Sequence, residues 1–158
     1  MTMASLDATE HFAASAAKLG IEVAVRRYPE GTRTAVDAAA AVGCDVDQIV
    51  KSLVLMAGDQ PILVLCSGAN RVDLAKVGAE FDGKVRMANA DEVRAATGFA
   101  IGGAPPFGHP APLPTLVDPH LLTFDEVWAA AGRPDSVFPL TPEALVAGSG
   151  ARPVDIAT

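Results

Sequence analysis

Between Phe99 and Asp118 the chain reads FAIGGAPPFGHPAPLPTLVD, and no other stretch restricts the fold as much. Three of the 14 glycines and five of the 12 prolines fall inside it. Proline fixes one backbone torsion and removes a donor, while glycine opens conformations that a side chain forbids. Such a segment makes neither a helix nor the interior of a strand. Regular structure must therefore be built on either side of a stiff loop. Composition predicts a pre-shaped backbone wall at the surface, a kind of element that often carries binding or chemistry. Its plainer use is a rigid connector between two halves of a sheet.

At 158 residues the sequence is long enough for one domain with a substantial core, so a single domain over residues 1–158 is expected. No apolar run approaches the roughly 20 residues that a membrane helix needs. The first twenty residues lack a basic flank before an apolar core, so no secretory signal is expected, and cytoplasm is the expected location. Cys44 and Cys66 have no metal-like spacing and are too few for a disulfide framework. Cys66, set in VLVLC, reads as a small buried hydrophobe, with a catalytic thiol as the minor alternative. A net charge of −7 argues against broad, sequence-blind nucleic-acid binding. Basic residues nevertheless gather at Arg26, Arg27 and Arg33, and again at Lys51, Arg71 and Lys76.

Helical and extended signals alternate along the chain. Helices are expected over Leu6–Leu19, over TAVDAAAAVG behind Thr34, over Val72–Phe81, and from the Asn89/Glu92 capping pair to Thr97. Thr123 with Glu126 predicts another helix over FDEVWAAAG, and Thr141-Pro142 starts one ending near Gly148. Strands are expected over Ile21–Tyr28, Lys84–Met87, Thr115–Val117, Ser136–Leu140 and Pro153–Ala157. Val50–Ala57 and Pro61–Ser67, separated by Gly58-Asp59-Gln60, form the best hairpin. The interleaving is irregular, so the fold class is α+β, a mixed sheet with surrounding helices.

Most chemical signatures are missing: there is no phosphate-binding loop, dinucleotide fingerprint, zinc spacing or nucleophile elbow. His11, His109 and His120 are too scattered for a metal set, although His109 sits inside the stiff loop. Lys51 is a lone cation at the start of a strongly apolar strand. It reads either as an edge-strand lysine that discourages pairing or as a fixed cation for a phosphate or carboxylate.

Three segments carry a resemblance: Ile49–Leu55 (IVKSLVL), Ser67–Lys76 (SGANRVDLAK) and Ala96–Asp118, which contains a Gly-x-x-x-Pro motif from Gly102 to Pro106. In this order they resemble the YbaK family, which is related to the editing insertion of bacterial prolyl-tRNA synthetases. The likeness runs from about Ala8 to Ile156. It implies a curved mixed sheet with a central pocket, and a free-standing deacylase that hydrolyses the ester of mischarged tRNA. It implies that Lys51 contacts the phosphate of the terminal adenosine, while the backbone of Gly102 and Gly103 orients the aminoacyl carbonyl and the water. Tyr28, Thr34, Ser67, Ile101, Pro106 and His109 are the expected substrate-binding residues. The implied partner is the 3′ end of a mischarged tRNA, alone or with an aminoacyl-tRNA synthetase, with no metal, cofactor or membrane. Some members that act on Cys-tRNA carry an Asp in a late strand, where this chain has Val137 and Phe138.

The chemistry fits apart from the family. An aminoacyl ester is already activated, so its hydrolysis needs positioning and oxyanion stabilisation more than a strong nucleophile. Two other classes remain open: a non-catalytic module that binds aminoacyl or nucleotide groups, and a small-molecule ester hydrolase.

Overall fold

The structure, a computed structural model, describes residues 7–29, 31–32 and 34–158. Leu6, at the start of the first expected helix, and Arg33, of the first basic cluster, lie outside the described residues. The helices are α1 (Ala8–Lys18), α2 (Ala35–Val42), α3 (Leu74–Glu80), α4 (Ala90–Thr97) and α5 (Pro142–Ser149). The strands are β1 (Arg26–Arg27), β2 (Ile49–Ala57), β3 (Gln60–Ser67), β4 (Val85–Met87), β5 (Thr115–Val117), β6 (Val127–Ala130), β7 (Ser136–Leu140) and β8 (Arg152–Pro153). They form one mixed sheet in the order β1-β7-β6-β2-β3-β5-β8, with β4 also paired to β2.

The β2–β3 hairpin is the spine of this sheet. Ala57 pairs with Gln60 across a two-residue turn whose first residue, Gly58, has φ +62°. A positive φ at that position is the glycine-first turn whose twist suits a hairpin. Helix ends follow local chemistry in the same way. Thr34 Oγ1 accepts from the Asp37 N–H to start α2, and Asn89 and Glu92 cap α4 reciprocally.

Four expectations need correction. Residues 127–130 are strand β6, not helix. Val127, Trp128 and Ala129 are buried between β2, which runs parallel, and β7, which runs antiparallel. Tertiary pairing overrides the helical preference of the alanines. Thr123 Oγ1 donates to the His120 carbonyl and caps nothing. In 21–28 the alternation is real, since Ile21, Val23 and Val25 pack on the core, but only Arg26 and Arg27 join a ladder. Of 153–157 only Pro153 belongs to a strand, β8, with a single bridge from Ala157 to Val72; helix α5 ends at Ser149, as expected, and a Cβ on Gly148 would lie 2.7 Å from Ile21, so that glycine serves packing. Finally, the Gly/Pro loop is not a surface wall throughout. Ile101 and Gly102 are exposed, whereas Gly103 to Phe107 are buried.

The sheet is covered on both faces. On one, Phe12, Phe107 and Phe138 meet with ring centroids 5.0–6.0 Å apart, joined by Val50, Val54, Leu63 and Leu65. On the other, α3 covers Leu55, Ile62, Val64 and Cys66, while α2 covers Ile49, Trp128 and Val137.

Candidate functional site

Strand β2 is paired along its whole length with β3, but its other flank is shared. Strand β6 takes Ile49 and Val50, and β4 takes Leu55 to Ala57. Among the described residues, Lys51 to Leu53 have no registered strand partner on that flank. A hollow of about 450 Å³ sits at this interval. Its wall takes residues from both faces of β2, from Trp128–Ala130 of β6, from Met87 and Ala88, and from Ile101, Gly102 and Ala104 of the stiff loop. Lys51 is therefore not an edge-strand lysine placed to block pairing. It stands where an otherwise central strand is left open.

The ammonium is held in place. Lys51 Nζ donates to the Asn70 carbonyl at 2.5 Å. Asn70 in turn donates from Nδ2 to Asp118 Oδ2 at 2.8 Å, and the same oxygen accepts the Ser67 N–H at 3.1 Å. Asp118 Oδ1 takes the His120 N–H. This buried carboxylate thus fixes the loop that fixes the lysine, a supporting layer behind the functional group. No carboxylate lies within ion-pair distance of Lys51 among the described residues, so its charge is free for a ligand.

Gly102 and Gly103 are adjacent but differ in purpose. Gly102 has φ +85° with open space where a Cβ would stand. Only its backbone conformation demands glycine. A Cβ on Gly103 would lie 2.9 Å from the Arg133 backbone, and its carbonyl accepts the Gly132 N–H. Gly103 braces the loop from behind. The N–H groups of Ile101 and Gly102 donate to no protein carbonyl among the described residues, and so can serve a ligand oxygen.

Of the expected site residues, Lys51, Thr34, Ile101 and Gly102 share this hollow. Ser67 is fully buried at the end of β3, where its Oγ donates to the Asp47 carbonyl; it shapes the wall through its neighbour Gly68. Tyr28 lines a separate hollow with Pro29, Asp37 and Ala40. Pro106 and His109 line another, of about 610 Å³, beside His11 and Lys18. There His109 Nε2 donates to the Pro105 carbonyl at 2.8 Å, and burial holds the imidazole below its usual pKa. Burial pushes the Cys66 thiol up to about 11, which suits an inert core cysteine.

Sequence reasoning singled out none of Asn70, Asp118 and Ser52. The signal for Ser52 was present: one hydroxyl inside IVKSLVL, beside the lysine. Arg26 was seen only as part of a basic cluster. Its guanidinium lies 5.0 Å from the centroid of Trp128, a wall residue of the hollow.

Comparison with known proteins agrees with this arrangement. A solved structure of a protein proposed as a trans-editing enzyme for prolyl tRNA synthetase superposes with a TM-score of 0.92 at 44% identity, covering 98% of this chain and 99% of that one. The uncharacterized protein YwhH of Bacillus subtilis (strain 168) is 34% identical over 122 residues, 77% of this chain and 78% of its own. EbsC of Enterococcus faecalis, proposed as a Cys-tRNA(Pro)/Cys-tRNA(Cys) deacylase, is 26% identical over 133 residues, 83% of this chain and 81% of its own. The aminoacyl-tRNA editing domain matches residues 29–147, well over half of the length. The chain belongs to the aminoacyl-tRNA editing domain family.

Proposed function

We propose that this chain acts as a single editing domain in the cytoplasm and hydrolyses the ester of a mischarged tRNA whose 3′ end enters the hollow beside β2. The observation that carries the reading is the placement of an unpaired ammonium, Lys51, and a donor-bearing loop, Ile101–Gly102, on one small and mainly apolar hollow. Lys51 takes the phosphate of the terminal adenosine. Ribose and acyl group then lie across the open flank of β2. The Ile101 and Gly102 N–H groups face the ester carbonyl and stabilise the oxyanion that forms when water adds. The carbon–oxygen bond to the ribose breaks next, and the ribose oxygen leaves as a hydroxyl, carrying the proton that the water gave up.

No ionisable side chain of the hollow besides Lys51 is needed for this. The ester is activated, and holding water and carbonyl together in a partly dry site supplies much of the acceleration. Arg26, exposed beside Trp128, offers a second cation for the tRNA backbone. A few such contacts suit an acidic protein that grips only the end of a long polyanion.

The test is deacylation of a panel of mischarged tRNAs by the chain and by Lys51→Ala. Release of the amino acid from at least one of them, lost in the variant, is expected. Binding without turnover would identify a non-catalytic module, and equal activity on free amino acid esters would identify a general esterase.

A further inference from the structure

Side chains alternate along a strand, so Lys51 and Ser52 project to opposite faces of β2. Lys51 lies on the face of Cys66 and Asn70. Ser52 lies with Val50 and Val54, on the face occupied by the larger core. Around it the hollow is walled by Val50, Val54, Ala88, Val93, Ala104 and Ala129, all apolar. Ser52 Oγ is the one buried side-chain oxygen or nitrogen without a hydrogen-bond partner among the described residues.

An orphaned hydroxyl in such a place calls for explanation, because buried polar groups nearly always find partners. Packing does not require it; alanine would fill much the same space without a polar atom to leave unpaired. Ser52 belongs to the wall of the hollow, and its oxygen reaches other directions by rotation about a single bond among staggered positions. It is also the next residue after the one that takes the phosphate. Two successive residues on one strand thus divide a ligand between them, the charged end on one face and the acyl end on the other.

We infer that Ser52 is a specificity-determining residue, whose hydroxyl hydrogen-bonds the β-hydroxyl of a small acyl side chain, so that the hollow favours seryl-type esters. This rests on the reading of the hollow as an aminoacyl-ester site. Of the hydroxyls in the wall, Thr32 Oγ1 already donates to the Pro134 carbonyl and Thr34 Oγ1 already accepts the Asp37 N–H, so Ser52 is the one left without a partner for a small acyl side chain. A hydroxyl both donates and accepts strongly, whereas a thiol does both weakly and a methyl not at all. The expected order is therefore seryl, then cysteinyl, then alanyl. The α-amino group is a different candidate for the same hydroxyl. It is common to every aminoacyl ester, and that makes the two assignments separable.

The experiment charges one tRNA body with serine, cysteine or alanine and measures kcat/KM for the chain and for Ser52→Ala. The chain should prefer the seryl ester. In the variant the seryl value should fall about three- to tenfold, the scale of one neutral hydrogen bond, while the alanyl value stays level or rises. Denaturation of Ser52→Ala should show unchanged or greater stability, since it removes a polar group that has no partner in the fold. An equal fall for all three esters would assign the hydroxyl to the common α-amino group and overturn the inference. No change for any ester, or a marked loss of stability, would overturn it as well. Failure of the chain to hydrolyse any charged tRNA would instead remove the editing reading, and this inference with it.

Discussion

The stiff loop borders two hollows, and they differ in ways that size does not capture. In the larger one, around Pro106 to Leu113, the polar side chains of the loop and of α5 are already satisfied, while His11 and Lys18 of α1 stand exposed to solvent. His109 is bonded to the Pro105 carbonyl, and Ser149 Oγ donates to the Leu145 carbonyl. The smaller one, around Ile101 and Gly102, holds an ammonium with no carboxylate partner, and backbone N–H groups and a buried hydroxyl with no hydrogen-bond partner, among the described residues. Unspent hydrogen-bonding capacity, held by a fixed frame, distinguishes a site from a dent. The one loop serves both: its first residues face the smaller hollow, while Phe107 anchors it in the aromatic core.

The largest expected effect is at Lys51. A charged hydrogen bond is worth about 1.5–3 kcal/mol, so Lys51→Ala should lower kcat/KM for deacylation about 10- to 100-fold without unfolding the chain. Lys51→Arg should recover only part of this, because a planar fork replaces a compact point charge. Loss below about twofold would place the phosphate elsewhere.

The two glycines should separate next. Gly103→Ala forces a Cβ against the Arg133 backbone and should cost about 1–3 kcal/mol of stability, read by denaturation. Gly102→Ala has room for its Cβ and strains only a φ of +85°, for about 1–2 kcal/mol. It should lose more activity than stability. If both variants behave alike, the division between facing and bracing residues is wrong.

How much of this the sequence disclosed depends on the range of the interaction. Caps, the Gly58 turn and the lysine at the strand start are local, and each is readable within a few residues. The β6 strand was not readable, because Val127 to Ala130 become a strand only through neighbours far away in sequence. The same holds for the site. Lys51, Gly102, Ile101 and Thr34 were expected together and share one hollow, but Asp118 and Asn70 meet the lysine only once the fold brings them under it. Tyr28 was expected at the site from the family resemblance, and Pro106 and His109 from their place in the stiff loop; the fold carries them to other hollows.

A smaller effect tests the larger hollow. His109→Gln should leave deacylation within about twofold, with no change in the pH profile, since a buried imidazole with a lowered pKa is already neutral near pH 7. A large loss would make both hollows functional and erase the contrast. Smallest of all is a surface effect just outside the smaller hollow, next to its wall residues Met87 and Val93. The bidentate Arg86–Glu92 pair and the α4 cap hold the Glu92 carboxyl down to about 2 from its usual 4.5. A lowered pKa stabilises the fold above the unfolded value, and that contribution fades as pH falls from about 4.5 towards 2. Arg86→Ala should therefore lower stability by a small, constant amount above about pH 5, pH 7 included, and flatten the profile between about 4.5 and 2.

The interval that β6 and β4 leave along β2 has a cost that selection cannot easily remove. Extending either strand by two residues would add rungs to the ladder and toughen the sheet against heat. It would also brick up the doorway. Variants chosen for melting temperature alone should drift towards closing that space, and so towards sturdy proteins that no longer turn over their substrate.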